Sequence, residues 1–253
     1  MIITFLGTGT SQGVPVIACK CDVCLSNHLK DKRLRSSVML EVDSQIFIID
    51  TGPDFRQQML REDIQNIDAI IYTHSHKDHV AGLDDIRAYN YKTKKDMELY
   101  CSSNVQSALI REFPYVFESK KYPGVPEVNI NKINNNIFYI NKTKITPIKA
   151  THYKMPVFGY RIYDFVYLTD VNHINDVEKQ KMKNADLIVL GSLRKEKHIS
   201  HFSLNEAVTL LKELRPKRAL LTHISHLMGK HEKVNQELPD FISLSYDRLS
   251  IML

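Results

Sequence analysis

The chain has 253 residues, of which 43% are hydrophobic and 25% are charged. These values are close to the average of globular proteins, and they exclude a disordered, collagen-like or coiled-coil chain. The 34 basic and 29 acidic residues leave a formal net charge of +5, which favours anionic partners but is too small for a dedicated nucleic-acid binder.

Short β-rich runs and helical patterns alternate along the chain without an internal repeat. Predicted strands combine β-branched and aromatic residues between turn signals, and they cover residues 2–6, 37–42, 45–49, 69–72, 144–148, 165–168, 187–190 and 219–221. The clearest helix covers 203–215, because Ser203 and Glu206 have the spacing of a capping box and Pro216 follows. Weaker helical patterns cover residues 55–61, 83–91, 105–112 and 177–183. This mixture predicts one domain, residues 1–253, in which helices cover β-sheets.

Residues 92–136 differ in character from the rest of the chain. They contain two lysine pairs, three prolines and an asparagine-rich stretch. We interpret this segment as an insertion or a lid on the main sandwich. A solvated irregular excursion without a role in binding is the alternative.

The chain shows no sign of a membrane anchor or an export signal. No apolar run approaches the roughly 20 residues that a bilayer-spanning helix needs. The first residues have no basic leader, and their apolar stretch is too short for a signal peptide. We therefore expect a cytoplasmic protein that does not contact a membrane.

Residues 73–79 hold the densest set of metal-binding side chains. The strand predicted at 69–72 leads into His74, His76, Asp78 and His79. The His-x-His spacing places two side chains on the same side of an extended segment. Imidazoles and carboxylates together suit zinc and other divalent ions. The pattern predicts a metal site at the end of a buried strand.

Three other predicted strands end in the same way, with a threonine followed by a residue that binds metals. These residues are His152, Asp170 and His223. Each alone is an ordinary residue at the end of a strand. Because the ends of neighbouring strands meet at one edge of a sheet, we expect them to join the histidines of residues 73–79 on a rigid scaffold.

This set of residues resembles the dinuclear metal site of the metallo-β-lactamase superfamily, and the resemblance covers nearly the whole chain. It implies a four-layer αββα sandwich of two mixed β-sheets flanked by helices. It also implies two divalent catalytic ions, zinc or manganese, and it distributes the ligands between them. His74, His76 and His152 hold one ion, Asp78, His79 and His223 hold the other, and Asp170 bridges the two.

Asp50 matches the carboxylate that orients a ligand histidine in this superfamily. A simple capping role at the turn that follows is the alternative. We assign catalytic roles to three residues, Asp50, Asp78 and His201. A formal charge count over two divalent ions, two carboxylates and a bridging hydroxide stays positive, which suits a phosphoryl group.

Two further features resemble the branch that contains PhnP-type phosphodiesterases and RNase Z. The loop from Gly7 to Pro15 follows the first strand, and its backbone amides are expected at the rim of the active site. His201 lies where this branch has the histidine that protonates the leaving oxygen, with His198 as the second candidate. A packing role at the start of the helix is the alternative for His201.

Cys19, Cys21 and Cys24 form a cluster that, in a reducing compartment, indicates a metal site before a disulfide. Three thiolates need one more ligand to complete a Cys₃His zinc site. His28 is close enough in sequence to supply it. The resemblance to PhnP-type enzymes implies His226 instead. Reduced cysteines without a metal are the remaining alternative.

The resemblance implies a metal-dependent phosphodiesterase that uses a metal-bridging hydroxide on a small anionic substrate, such as a cyclic ribose or nucleotide phosphate. The main alternative is a tRNA 3′-processing nuclease of RNase Z type, so nucleic acid is the second choice of partner. A non-catalytic binding protein that keeps the fold is another alternative. Thioesterases and glyoxalase-like hydrolases share residues 74–79. The number of subunits stays open, with a homodimer as one option.

Overall fold

A computed structural model describes all residues from 1 to 253. Its fourteen strands form two sheets of seven strands each. The strands of the first sheet are β1 (Ile2–Gly7), β2 (Ser37–Val42), β3 (Gln45–Ile49), β4 (Ala69–Ile71), β5 (Met97–Cys101), β6 (Val128–Lys132) and β14 (Ser250–Met252). They lie side by side in the order β14-β1-β2-β3-β4-β5-β6. Pairing is antiparallel from β14 to β3 and parallel from β3 to β6.

The second sheet repeats this mixed arrangement. Its strands are β7 (Phe138–Ile140), β8 (Thr143–His152), β9 (Met155–Ile162), β10 (Phe165–Leu168), β11 (Leu187–Gly191), β12 (Arg218–Thr222) and β13 (Ile242–Leu244). They pair in chain order, antiparallel from β7 to β10 and parallel from β10 to β13. In the parallel halves of the two sheets, the carboxyl ends of β4, β10 and β12 lie at the same edge of the sandwich, because residues that follow them come together there.

Helices cover the outer face of each sheet. Those on the first sheet are α1 (Phe55–Arg61), α2 (Lys77–Val80), α3 (Arg87–Thr93), α4 (Ser103–Glu112) and α5 (Pro114–Phe117). Those on the second sheet are α6 (Asp176–Met182), α7 (Leu204–Leu214) and α8 (His231–Glu237). None of the helices combines the length and apolar character that crossing a bilayer requires.

The inner faces of the two sheets pack against each other through large buried side chains, which include Phe5, Phe47, Tyr160 and Tyr167. Burying one such side chain contributes about 1.5–3 kcal/mol, so this layer is a main source of stability. The order helix, sheet, sheet, helix confirms the predicted αββα sandwich.

The sheets are also joined by hydrogen bonds beside the segment 73–79. The Tyr160 hydroxyl on β9 donates to the Tyr72 carbonyl at 2.5 Å. The Phe158 amide donates to the Thr73 carbonyl at 3.0 Å. These groups are buried, where an unpaired polar atom is costly. The second sheet therefore fixes the loop that leaves β4 in the first.

The predicted capping box is present at the start of α7. The Glu206 amide donates to the Ser203 hydroxyl, and the Ser203 amide donates to the Glu206 carboxylate at 2.9 Å. Arg215 ends the helix in the left-handed conformation, directly before Pro216.

Residues 92–136 differ from the expectation of a lid or insertion. They supply β5 and β6 at the edge of the first sheet, and α4 and α5 pack on its outer face. Met97, Leu99 and Cys101 are buried on alternate positions of β5, as in other strands of the core. Much of the segment is therefore an integral part of the sandwich. Two of its asparagines, Asn129 and Asn131, lie on the half-exposed edge strand β6, and Asn134, Asn135 and Asn136 follow it in a loop.

Candidate functional site

The predicted metal-binding residues lie together at one edge of the sandwich, where strands of both sheets end. Three of the residues that follow these strands, Asp50, Asp170 and His223, have positive φ values of 65°, 49° and 57°. Such values are uncommon outside glycine and cost of the order of 1–3 kcal/mol each. The chain therefore turns sharply at three strand ends, and strained turns of this kind cluster at functional sites.

One group of ligand atoms comes from Asp78, His79, Asp170 and His223, and all four atoms lie within 4.8 Å of one another. His79 Nε2 is 3.1 Å from Asp78 Oδ2 and 3.2 Å from Asp170 Oδ2. His223 Nδ1 is 3.0 Å from the same Asp170 oxygen. These four residues are brought together as predicted.

A second group lies beside the first. The ring centroids of His74, His76 and His152 are 4.8 to 5.7 Å apart. Ligand atoms of His152, Asp170 and His201 also lie within 4.8 Å of one another. Asp170 thus lies between the two groups: its Oδ2 faces His79 and His223, and its Oδ1 faces His201.

Two polar atoms at the centre make no hydrogen bond within the protein. His74 Nε2 and His79 Nε2 are buried and make no hydrogen bond. The nearest carboxylate oxygens to His79 Nε2 belong to Asp78 and Asp170, at 3.1 and 3.2 Å. Atoms that surround a common point without bonding to each other are the arrangement that a bound cation requires. The donor set therefore fits divalent metal ions.

The opposite nitrogens of these rings are held by the surrounding protein. His79 Nδ1 is 2.7 Å from Asp50 Oδ2, and His152 Nδ1 is 2.7 Å from the Ser200 carbonyl oxygen. His74 Nδ1 is 2.9 Å from the Thr73 hydroxyl. Such contacts fix the ring orientation and the tautomer, and they leave the other nitrogen free to bind a metal.

The electrostatics of the centre favour cations. Burial lowers the pKa of His74 and of His223, which keeps them in the neutral form that binds metals. Burial also opposes a charge on His79, but the carboxylates of Asp78, Asp170 and Asp50 outweigh it and raise the pKa of His79. Three carboxylates around one buried ring attract positive charge.

His201 lies directly against this centre. Its ring centroid is 4.5 Å from that of His152 and 5.0 Å from that of His223. Its Nδ1 is 3.8 Å from Asp170 Oδ1. His198, the second candidate, lies behind it, with a ring centroid 5.2 Å from that of His201. Its Nδ1 faces the amide and hydroxyl of Ser200.

The three clustered cysteines converge on His226. Its Nδ1 is 3.3 Å from the sulfur of Cys19, 3.3 Å from that of Cys21 and 3.6 Å from that of Cys24. A tetrahedral zinc with Zn–S of about 2.3 Å and Zn–N of about 2.0 Å separates sulfur from nitrogen by about 3.5 Å. The four side chains therefore fit one zinc ion.

His28 does not reach the cysteines. It caps a short 3₁₀ turn by accepting a hydrogen bond from the Lys30 amide, and its Nε2 is 3.8 Å from Glu232. Of the two candidates for the fourth ligand, the structure brings His226 to the cluster. The backbone amide of Cys24 and the His226 ring lower the pKa of Cys21 to about 6, which favours the thiolate that binds zinc.

Comparison with known proteins decides the family. The family model of the beta-lactamase superfamily domain matches residues 46–224, which include every histidine and aspartate of the candidate metal centre. The chain belongs to the metallo-β-lactamase superfamily. A crystal structure of a diphosphatase from the PhnP family is 36% identical to this superfamily member and superposes with a TM-score of 0.93. The superposition covers 100% of this chain and 97% of the diphosphatase chain.

Curated relatives of this metallo-β-lactamase superfamily protein carry different names. A protein named octanoyltransferase from Porphyromonas gingivalis is 33% identical over 251 residues, which are 98% of this chain and 51% of that protein. A ribonuclease Z from Prochlorococcus marinus is 28% identical over 206 residues, which are 79% of this chain and 60% of that protein. The chain thus spans about half to three fifths of these relatives.

The first amides of the loop from Gly7 to Pro15 have a different role from the predicted one. The amides of Thr8, Gly9 and Thr10 donate to Asp247 and to the carbonyls of Leu34 and Ile224. They are therefore occupied within the protein and do not face a substrate. The loop instead braces the segment that carries His223 in this superfamily member.

Several supporting residues had no signal in the sequence. Ser200 holds His152 through a backbone carbonyl, which every residue type has. Ser36 lies with its hydroxyl 3.3 Å from His223 Nδ1 and donates to the Gly9 carbonyl. Thr73 differs from these two residues, because it belongs to the repeated threonine motif of the sequence. Its amide and its hydroxyl both donate to Asp50.

Proposed function

We propose that this protein hydrolyses small phosphodiesters with the aid of two divalent metal ions. The observation that carries the proposal is the position of Asp170, whose carboxylate lies between two groups of metal-binding side chains with His201 3.8 Å away. The similarity to a PhnP-family diphosphatase over nearly the full length supports it. A cyclic ribose or nucleotide phosphate is the substrate class that we favour.

In this proposal, each ion has three ligands of its own and shares Asp170. His74, His76 and His152 would hold one ion, and Asp78, His79 and His223 the other. When bound, zinc or manganese ions supply charge neutralisation at the phosphoryl oxygens and a nucleophile at neutral pH. The carboxylates would cancel only part of the charge of the two ions, so a net positive charge would remain to attract an anionic substrate.

The residues of the chain have separate tasks. His201 donates a proton to the leaving oxygen. Burial lowers the pKa of His201 to about 3, which opposes the charged form of the ring. The proposed role therefore requires a bound anionic group that raises this pKa again. A bound phosphodiester is such a group. Asp50 positions His79, and Ser200 positions His152.

The cysteine cluster completes the proposal as a structural zinc site. Cys19, Cys21, Cys24 and His226 would supply all four ligands of the ion, and a site without an open position is typical of structural and not catalytic zinc. Zinc thiolates persist in a reducing compartment, so a cytoplasmic location is part of the proposal.

His226→Ala is expected to lose tightly bound zinc and to weaken the catalytic ions, because His226 lies three residues after His223 in the same segment. His28→Ala is the matched control and is expected to keep the zinc. The measurement is elemental analysis after brief EDTA treatment, which should leave about one zinc in the wild type because closed thiolate sites bind tightly. The opposite ranking of the two variants contradicts the assignment.

Asp50→Asn is expected to lower activity or catalytic metal affinity by about 10–100-fold, the usual effect of removing a partner of a ligand histidine. The buried carboxylate accepts from Thr73 and from His79 Nδ1 at 2.7 to 2.8 Å. Metal titration and kcat measure the effect. Asp43→Asn removes a carboxylate that bonds Thr143 and Tyr163 far from the centre, and equal losses in both variants refute a specific role.

The names of the relatives suggest two other activities. The ribonuclease Z relative favours a tRNA-processing nuclease. The octanoyltransferase name favours chemistry on an acyl group, although it belongs to a protein of about twice the length. The test is a panel of bis-p-nitrophenyl phosphate, ribose cyclic phosphate, 2′,3′-cyclic nucleotides, pre-tRNA and an octanoyl thioester. We expect the cyclic phosphates to give the highest kcat/KM. Turnover of pre-tRNA or the thioester alone overturns the proposal.

A further inference from the structure

A cavity of about 450 Å³ opens directly beside the metal-binding histidines. His76 and His152 line it together with Tyr153, Lys154, Met155 and Ile199. Its volume is within the range of natural small-molecule sites, about 300–1,000 Å³. Two of the residues that line it are candidate metal ligands. A group bound in this cavity would therefore lie next to the phosphodiester bond that the proposed enzyme cleaves.

Tyr153 lies in an unusual backbone conformation at the edge of this cavity, and no hydrogen bond of its side chain holds it there. It lies at the tip of the turn between β8 and β9 with a φ of 56°, where glycine or asparagine is usual. Its side chain is 50% exposed, and its hydroxyl makes no hydrogen bond. Tyr163, at the next turn, has a φ of 53° but donates its hydroxyl to Asp43 at 2.6 Å.

Charge and shape around Tyr153 suit an anionic molecule with a flat ring. The Lys154 ammonium lies 5.3 Å from the centroid of the Tyr153 ring, and it pairs with no carboxylate. Ile199 is 68% exposed on the facing loop. An aromatic face, an aliphatic side chain and an unpaired cation are the elements with which proteins bind bases of single-stranded nucleotides.

The two walls of the cavity are held at a fixed separation by one side chain. Asn172 accepts a hydrogen bond from the Tyr153 amide at 2.8 Å and donates to the Ile199 carbonyl at 3.1 Å. The cavity is therefore formed before a ligand arrives, and binding does not have to order either wall.

We propose that this cavity is a subsite that binds a nucleobase attached to the phosphodiester, which makes the substrate a nucleotide; this rests on the hydrolase function proposed above. An alkyl chain is the less suitable occupant, because the cavity is open and Lys154 lies at its wall. Tyr153 would stack on the base, while the phosphate lies at the metal-binding centre.

The test compares two substrates that differ in the base, adenosine 2′,3′-cyclic phosphate and 1-O-methylribose 2,3-cyclic phosphate. The kcat/KM of the adenosine substrate divided by that of the methylribose substrate is expected to fall about tenfold in Tyr153→Ala. This is the usual scale for loss of one stacked base. Tyr153→Phe should retain the ratio. Tyr163→Ala is the matched control and should also retain it. An unchanged ratio in Tyr153→Ala overturns the subsite.

A binding measurement separates this proposal from the hydrolase function. If the wild type cleaves neither substrate, the proposed function fails, and the subsite is then tested by calorimetry with adenosine 5′-monophosphate and ribose 5-phosphate. Tighter binding of the nucleotide, lost in Tyr153→Ala, supports the subsite. Equal binding of both compounds, or tighter binding of octanoate that Tyr153→Ala abolishes, overturns it.

Discussion

Asp170→Asn is expected to reduce hydrolysis of every substrate by about 10³-fold or more. The Asp170 carboxylate has one oxygen 3.0 to 3.2 Å from His223 and His79 and the other 3.8 Å from His201. An amide has the same shape but no negative charge, so it cannot hold two cations together. Loss of metal-based stabilisation is worth several kcal/mol, and about 4 kcal/mol corresponds to 10³ in rate.

Metal analysis gives this prediction a second readout. Asp170→Asn should lose exchangeable metal and keep the tightly bound zinc of the cysteine cluster. Asp164→Asn is the control, because Asp164 is an exposed carboxylate that pairs with Arg161 at a turn of the second sheet. Full activity in Asp170→Asn, with all metals retained, is incompatible with a bridging role.

His201→Ala is expected to slow a ribose cyclic phosphate by about 10²–10⁴-fold, the usual contribution of a general acid. An alkoxide leaving group has a pKa well above neutrality and needs a proton as its bond to phosphorus breaks. A p-nitrophenolate leaves without one. The same variant should therefore slow bis-p-nitrophenyl phosphate far less, with kcat as the measured quantity.

His198→Ala is the matched control, because His198 lies on the same loop behind His201. It should leave the difference between the two substrates as in the wild type. Equal losses on both substrates in His201→Ala, with the metals retained, assign His201 to positioning the phosphate, and the proton must then come from another group.

The residues at the centre were foreseeable because four strands end in the same short pattern. Each pairs a threonine with a histidine or an aspartate, as at Thr73 and Thr222, and neighbouring strand ends must meet at one sheet edge. The contact between His226 and the cysteines could not be derived in this way, since 207 residues separate it from Cys19. It followed from family resemblance alone.

Three of the strands that were not predicted have physical explanations. β13 and β14 have three residues each, which is too short for an alternating pattern to be visible. β9 contains Pro156 and Gly159, which both disfavour strands. Gly159 is required there, because a Cβ atom would lie 2.6 Å from the Leu168 side chain and the Tyr167 carbonyl. Close approach between neighbouring strands is a tertiary property without a local signal.

The link between the cysteines and His226 also sets an order of events during synthesis. The shortest link, from Cys24, spans 202 residues, which a ribosome adds in roughly 10–40 s at about 5–20 residues per second. Until then the three thiols belong to a nascent chain that does not yet contain His226. If the cluster binds zinc as proposed, the site therefore closes only after most of the chain has been made.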